Sequence, residues 1–176
     1  MKAPLLIGLV ALAACSPREP PHWPEGGARL AMGTARWTRP GDEPIELRRD
    51  GRVFEGGDLL FVIDRVGRIV DRDYEPLAIL LPDGQLVDVD AQGLGQIGLA
   101  NAAPPWTEAA WLSVTADGHV IHFDPDGDRE SLGNFEGCAG AVHRTCTVVA
   151  HMVQLRQVRT NPSGHVRVGV GVGIGF

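Results

Sequence analysis

An all-β fold of short antiparallel hairpins is what this 176-residue sequence predicts for most of its length. Short apolar runs of two to five residues recur in pairs, and Asp-Gly steps separate the members of several pairs. Asp-Gly between such runs is a strong hairpin signal, because glycine accepts the positive φ that a tight turn demands. The turn glycines are also evenly placed: Gly51, Gly67, Gly84 and Gly118 stand 16, 17 and 34 residues apart, the last interval being twice 17. A repeat of this length is shorter than a propeller blade, which takes about 40–50 residues. A meander, a sandwich or a small barrel fits instead.

The chain opens with Met1-Lys2-Ala3-Pro4 and the apolar run from Leu5 to Ala14, followed by Cys15. One positive charge, a short apolar stretch and small residues before a cut site are the parts of a secretory signal. The run is about half of the roughly 20 residues that a membrane-spanning helix needs. Leu12-Ala13-Ala14-Cys15 resembles the lipobox of bacterial lipoprotein precursors. That resemblance implies a signal peptide over 1–14, removal of those residues, and lipidation of Cys15 as the first mature residue. With Ser16 rather than Asp next, it also implies sorting to the outer membrane. Acyl chains contribute about 0.8 kcal/mol per buried CH₂, so several together hold a domain without a spanning helix. Ordinary secretion is the competing reading, since Ala11-Leu12-Ala13 also fits a small-x-small cleavage site. It leaves Cys15 as an odd thiol in an oxidising compartment.

Residues 15–44 read as the lipidated cysteine and a tether. Pro17, Pro20, Pro21, Pro24, Pro40 and Pro44 remove backbone donors and stiffen the chain, with Gly26 and Gly27 between them. Trp23 and Trp37 are the exceptions, and docking on the following domain is their simplest role. Lys2 leaves with the signal, so fifteen arginines face 22 acidic groups and the mature formal charge is −7. An acidic surface argues against nucleic acid as a partner.

The β-domain of hairpin repeats is expected over 45–176. Its first hairpin joins Ile45–Leu47 to Val53-Phe54 through Asp50-Gly51, and the second joins Leu60–Ile63 to Ile69-Val70 through Val66-Gly67. A third runs from Leu77–Leu81 through Asp83-Gly84 to Leu86–Val89, and another from Trp111–Val114 through Asp117-Gly118 to Val120–Phe123. Type I′ turns are expected at the Asp-Gly steps. The segment Gly93 to Ala103 reads as a degenerate unit of the same repeat. The units resemble those of uncharacterised lipoproteins with strand-Asp-Gly-strand repeats, a likeness that implies no activity. One helical turn is expected after Pro104-Pro105 and no longer helix anywhere. Thr145 to Arg159 and His165 to Phe176 read as a long C-terminal hairpin turning at Asn161–Gly164. In its second strand Val166, Val168, Val170, Val172, Ile174 and Phe176 alternate with glycines. Period two places that apolar set on one face.

Cys138 and Cys146 are the cysteines left in the domain. In an exported protein they most simply form a disulfide, and they lack the CxxC spacing of a redox pair. Asp124, Asp126 and Asp128 are the candidate metal-binding residues, because alternating carboxylates can supply oxygen to calcium. The EF-hand spacing is broken, however, and Asp and Gly also make turns, so no metal and no cofactor are assigned. His119 and His122 fall on opposite faces of a strand. Gly93 to Gly98 matches the letters of a dinucleotide fingerprint without the strand-to-helix context it requires. No serine lies in a nucleophile elbow. These readings lead to a non-catalytic, membrane-anchored lipoprotein of the cell envelope, with other envelope proteins as its partners. The alternative is a ligand-binding β-module whose cavity, lined by residues such as Phe61, Trp111 and Phe123, holds an apolar molecule or calcium.

Overall fold

The computed structural model describes residues 17–160. Twelve strands form one closed barrel in which each strand pairs antiparallel with its neighbours in sequence, and the first with the last. Of the three all-β architectures open from the sequence, the meander closed into a barrel is the one observed. The strands are β1 (Ala35–Thr38), β2 (Ile45–Leu47), β3 (Arg52–Glu55), β4 (Asp58–Ile63), β5 (Arg68–Asp71) and β6 (Pro76–Leu80). They continue with β7 (Gln85–Asp88), β8 (Gly93–Ile97), β9 (Asn101–Ala103), β10 (Leu112–Val114), β11 (His119–Phe123) and β12 (Arg129–Glu136). Every hairpin read from the described part of the sequence is present. The degenerate unit is one as well, with Gln96 opposite Ala103 and Ile97 opposite Ala102.

Alternate residues point inward, as period two requires: Ala35 and Trp37, Ile45 and Leu47, Phe61 and Ile63, and Leu112 and Val114 are all buried in one core. Eight strands already give a barrel that side chains can fill; twelve leave more room than side chains alone can close. The space is taken by α1 (His143–Thr160), entered through a short 3₁₀ turn at Gly140–Val142. From Thr145 to Val153 every helical residue is buried, as is Leu155. The helix lies against β8, β9 and β10, while Arg156 near its far end reaches Glu55 on the opposite wall. It therefore runs through the lumen.

This helix corrects the expectation of a strand over Thr145 to Arg159 and of no helix longer than a turn. The second half of the expected C-terminal hairpin, His165 to Phe176, lies outside the described residues, as does Cys15. The expected helical turn after Pro104-Pro105 is absent: residues 104–111 form a loop with a turn in which Thr107 N–H donates to Pro104 O (3.4 Å).

The tether is corrected too. The barrel begins at Ala35 rather than Ile45, and Trp37 is a fully buried core residue stacked on Phe135 at 5.8 Å. The chain before it is also docked. Pro20 is buried, Arg68 donates to Trp23 O (2.7 Å) and Pro24 O (2.8 Å), and Gly27 and Ala28 N–H donate to Val66 O and Leu80 O. Residues 20–30 thus form a strap against the β4–β5 turn and the end of β6, with Ala28 and Leu30 buried in the core.

Two ends of the barrel follow from the up-and-down order. One carries the turns after β2, β4, β6, β8 and β10. Four of those turns share a design in which the loop's first residue accepts from a glycine three positions on: Gly51 to Arg48 O, Gly67 to Asp64 O, Gly84 to Leu81 O and Gly118 to Thr115 O. Only the glycine has positive φ, at 84°, 77°, 92° and 91°, whereas a type I′ turn needs it at both central residues. These are three-residue loops, a type I turn followed by one left-handed residue, in place of the expected type I′ turns. The glycine carbonyl then accepts from the strand beyond, as in Ile63 N–H to Gly51 O (2.9 Å) and Ile97 N–H to Gly84 O (2.7 Å). We call this the glycine end and the opposite one the aspartate end. At the aspartate end Asp71, Asp88 and Asp124 begin loops of the same shape.

Candidate functional site

Among the polar groups buried in the described residues, Trp111 and His151 form an arrangement whose hydrogen bonds are all satisfied. Trp111 immediately precedes β10 and His151 sits at mid-helix, 40 residues away in sequence and in contact in space. Trp111 Nε1–H donates to His151 Nδ1 (3.0 Å), and His151 Nε2 lies 2.9 Å from Leu94 O. The indole can only donate, so Nδ1 is the acceptor and Nε2 carries the proton that bonds Leu94 O. Burial holds the His151 pKa down at about 4, against a weaker opposing pull from the Leu94 carbonyl. The imidazole is thus a neutral two-sided lock between helix and wall. Gly95 makes room for it, since a Cβ there would stand 2.7 Å from His151 Nε2. His151 stands as a single histidine in the sequence, and no local pattern links it to Trp111.

Outward from this lock the aromatic contacts continue to the surface at the aspartate end. Trp106, in the β9–β10 loop, meets Trp111 edge-on at 5.5 Å, and His122 of β11 meets it at 5.9 Å. Trp111 is buried while Trp106 is 58% exposed. His119, three residues before His122, points out near Asp117 (3.5 Å), so the two histidines serve different faces, as expected.

Helix α1 is fixed at both ends. At the glycine end Cys138 and Cys146 form the expected disulfide, tying the chain just after β12 to the first turn of α1. Thr145 Oγ1 donates to Ala31 O (2.7 Å), Thr147 Oγ1 to Leu99 O (2.8 Å), and His143 Nε2 lies 2.6 Å from Val114 O. At the aspartate end Glu55 binds two arginines with one carboxylate: Arg39 Nη2 at 2.5 Å and Arg156 Nη1 at 3.2 Å. Arg39 is buried, also donates to Glu43 O, and lies over the Trp37 ring.

The residues singled out for ligand chemistry are placed differently from a binding site. Phe61 and Trp111 are buried in the core, and Phe123 lies half-buried beneath Arg129. Asp124, Asp126 and Asp128 form the β11–β12 turn, in which Asp124 N–H donates to Asp128 O (3.0 Å) and Gly127 N–H to Asp124 O (2.9 Å). Among the described residues no group of three or more His, Cys, Asp or Glu side chains gathers as a metal site. Gly93 to Gly98 is a strand, β8, and not a phosphate-binding turn. Two open depressions of about 380 and 370 Å³ lie on the outer surface. The first, lined by Thr38, Arg39, His119 and Asn134 among others, sits where a bulge shifts the β11–β12 register, and the second lies between the strap and the β6–β7 turn.

No helix among the described residues is long and apolar enough to cross a membrane. Comparison with protein-family models, with curated proteins and with solved structures finds no match to this chain.

Proposed function

We propose that this chain is an exported lipoprotein, held in the outer membrane by lipid on Cys15, whose barrel acts without catalysis through contacts of its outer surface with other envelope proteins. The observation that carries the reading is the filled lumen. In a barrel whose interior is occupied by its own helix, with the Trp111–His151 lock between helix and wall satisfied, the surfaces left for recognition are outside. The disulfide supports the export half, because such bonds persist in oxidising compartments and are rare in the cytosol. The lipobox-like Leu12–Cys15 supports the anchor.

Growth of cells expressing the full chain with an alkyne-bearing palmitate tests both halves. The expected outcome is a labelled, membrane-bound mature form from the native sequence and an unlabelled, uncleaved precursor from Cys15→Ala. An unlabelled, soluble mature form from the native sequence contradicts the anchor and points to simple secretion. Photocrosslinking from barrel surface positions of the labelled protein then tests the contacts; a protein that crosslinks to nothing in its own membrane is no interaction module.

A further inference from the structure

We infer that the aspartate end of the barrel rests on the membrane, with Trp106 and Tyr74 among the headgroups of a zwitterionic, phosphatidylethanolamine-rich bilayer. This rests on the reading of Cys15 as the lipidated residue and adds which face of the domain meets the lipid.

The first argument is chain length. Docking begins at Pro20, so residues 15–19 alone separate the lipid from the barrel wall. Five residues span at most about 17 Å when fully extended. A leash this short lets the barrel stand close to the bilayer and gives it little freedom to turn over. The second argument is where the leash leaves. Arg18 pairs with Asp90 in the β7–β8 turn, at the aspartate end. The strap itself is held at the glycine end by Arg65, Val66, Arg68 and Leu80, so the Arg18–Asp90 pair directs the chain before it along the wall toward the aspartate end and the anchor.

The third argument is what the end exposes. Among the described residues three large hydrophobic ones are strongly exposed: Tyr74 at 62%, Leu99 at 61% and Trp106 at 58%. Tyr74 and Trp106 stand at the aspartate end, and they are the two with an apolar body and a polar tip, the combination favoured at headgroup level. Leu99, with no polar atom in its side chain, is at the glycine end. Trp106 is braced on Trp111, so little side-chain freedom remains to be lost on contact. Tyr74 occupies the left-handed position of its turn at φ 63°, where Gly51, Gly67, Gly84 and Gly118 stand in the glycine-end turns. A non-glycine residue there costs about 1–2 kcal/mol. A bulky side chain kept in a strained turn position and left largely exposed points to a contact outside the barrel.

Charge then selects the lipid. Asp73, Glu75, Asp90, Glu108, Asp126 and Asp128 are exposed at this end. They repel an anionic surface and suit a headgroup whose outermost group is an ammonium.

Quenching of tryptophan emission by lipids brominated near the headgroup tests the orientation. The lipidated full-length mature protein is reconstituted in phosphatidylethanolamine–phosphatidylcholine vesicles, and flotation checks that it is anchored. Quenching is expected in the native protein and lost in Trp106→Phe. A tryptophan placed at the other end, by Leu99→Trp in the Trp106→Phe background, is expected to stay unquenched. Anchored protein in which the Leu99→Trp reporter is quenched and Trp106 is not overturns the orientation and leaves the anchor standing. Undiminished quenching in vesicles half of phosphatidylglycerol overturns the headgroup preference. Protein that does not float with the vesicles removes the anchor and this inference together.

Discussion

His151 shows how one buried side chain sets a pH range for the whole fold. Its folded value of about 4 lies below the ordinary 6.5 because the charged form is excluded from the core. The unfolded chain therefore binds a proton as pH falls below 6.5 while the folded one refuses it until about 4. Stability is full above 6.5 and declines as pH drops through that window, by on the order of 3 kcal/mol for this group. The imidazolium also puts a proton on Nδ1, against the indole N–H it must accept. Denaturant midpoints at pH 7, 5.5 and 4.5 check this against His151→Gln. The variant is expected to be less stable at pH 7 yet flatter over that range; equal slopes in both proteins sink the assignment.

The turn glycines give a second expectation for single residues. A Cβ at Gly51 runs into the Ile63 carbonyl, and φ of 84° is unfavourable for any side chain. Gly51→Ala should lose at least about 2 kcal/mol. Ala91 sits at φ 60° in the equivalent position at the other end, so Ala91→Gly should be neutral or gain up to about 1 kcal/mol. Thermal melts of the two variants moving in the same direction contradict the turn assignment.

At the scale of elements, the barrel strands were legible and the helix was not, for a physical reason in each case. Strands β2 to β7, β10 and β11 announce themselves because one face is buried and a glycine punctuates each hairpin at the glycine end. Helix α1 is buried on all sides from Thr145 to Val153, so it has no solvent-facing charged stripe and no clear 3.6-residue period to read. Its Thr145, Thr147, Val148, Val149 and Val153 are β-branched, which favours strands locally; the space inside a twelve-strand barrel overrides that preference. Strand β1 hid for another reason, being four residues long among prolines and glycines. The Trp111–His151 contact and the Arg39–Glu55–Arg156 clamp join positions far apart in sequence, and neither leaves a local trace.

Two expectations belong to α1 as an element. The Cys138–Cys146 bridge closes a short loop, with a sequence separation of 8, at the helix entrance, and Cys138→Ser with Cys146→Ser should lose about 2–3 kcal/mol. Glu55→Ala leaves the buried guanidinium of Arg39 with only the exposed Asp42 carboxylate, 3.6 Å away. It should cost about 2–3 kcal/mol, where removal of an exposed pair such as Arg36–Glu46 costs under 1. Urea unfolding of each variant supplies the comparison. A Glu55→Ala loss no larger than that of Glu46→Ala removes the clamp from the account.

The whole molecule is one cooperative object in which a sheet with no free edge, an internal helix and an external strap each complete the others. Closing β1 on β12 abolishes the exposed edges that would invite pairing with other chains. Its two ends differ in kind. The glycine end is tied down by the strap, the disulfide and the helix entrance, whereas the aspartate end is acidic and carries Tyr74, Trp106 and the side from which the mature N-terminus arrives. The functional reading depends on the lumen being permanently full, because a helix that could leave would expose an apolar cavity and restore the case for a bound ligand. Native-state hydrogen exchange of the intact protein decides this most directly. The amides of residues 147–155 are expected among the slowest to exchange, opening only with global unfolding. Exchange of that stretch while the barrel strands stay protected would contradict a filled barrel that works from its outside.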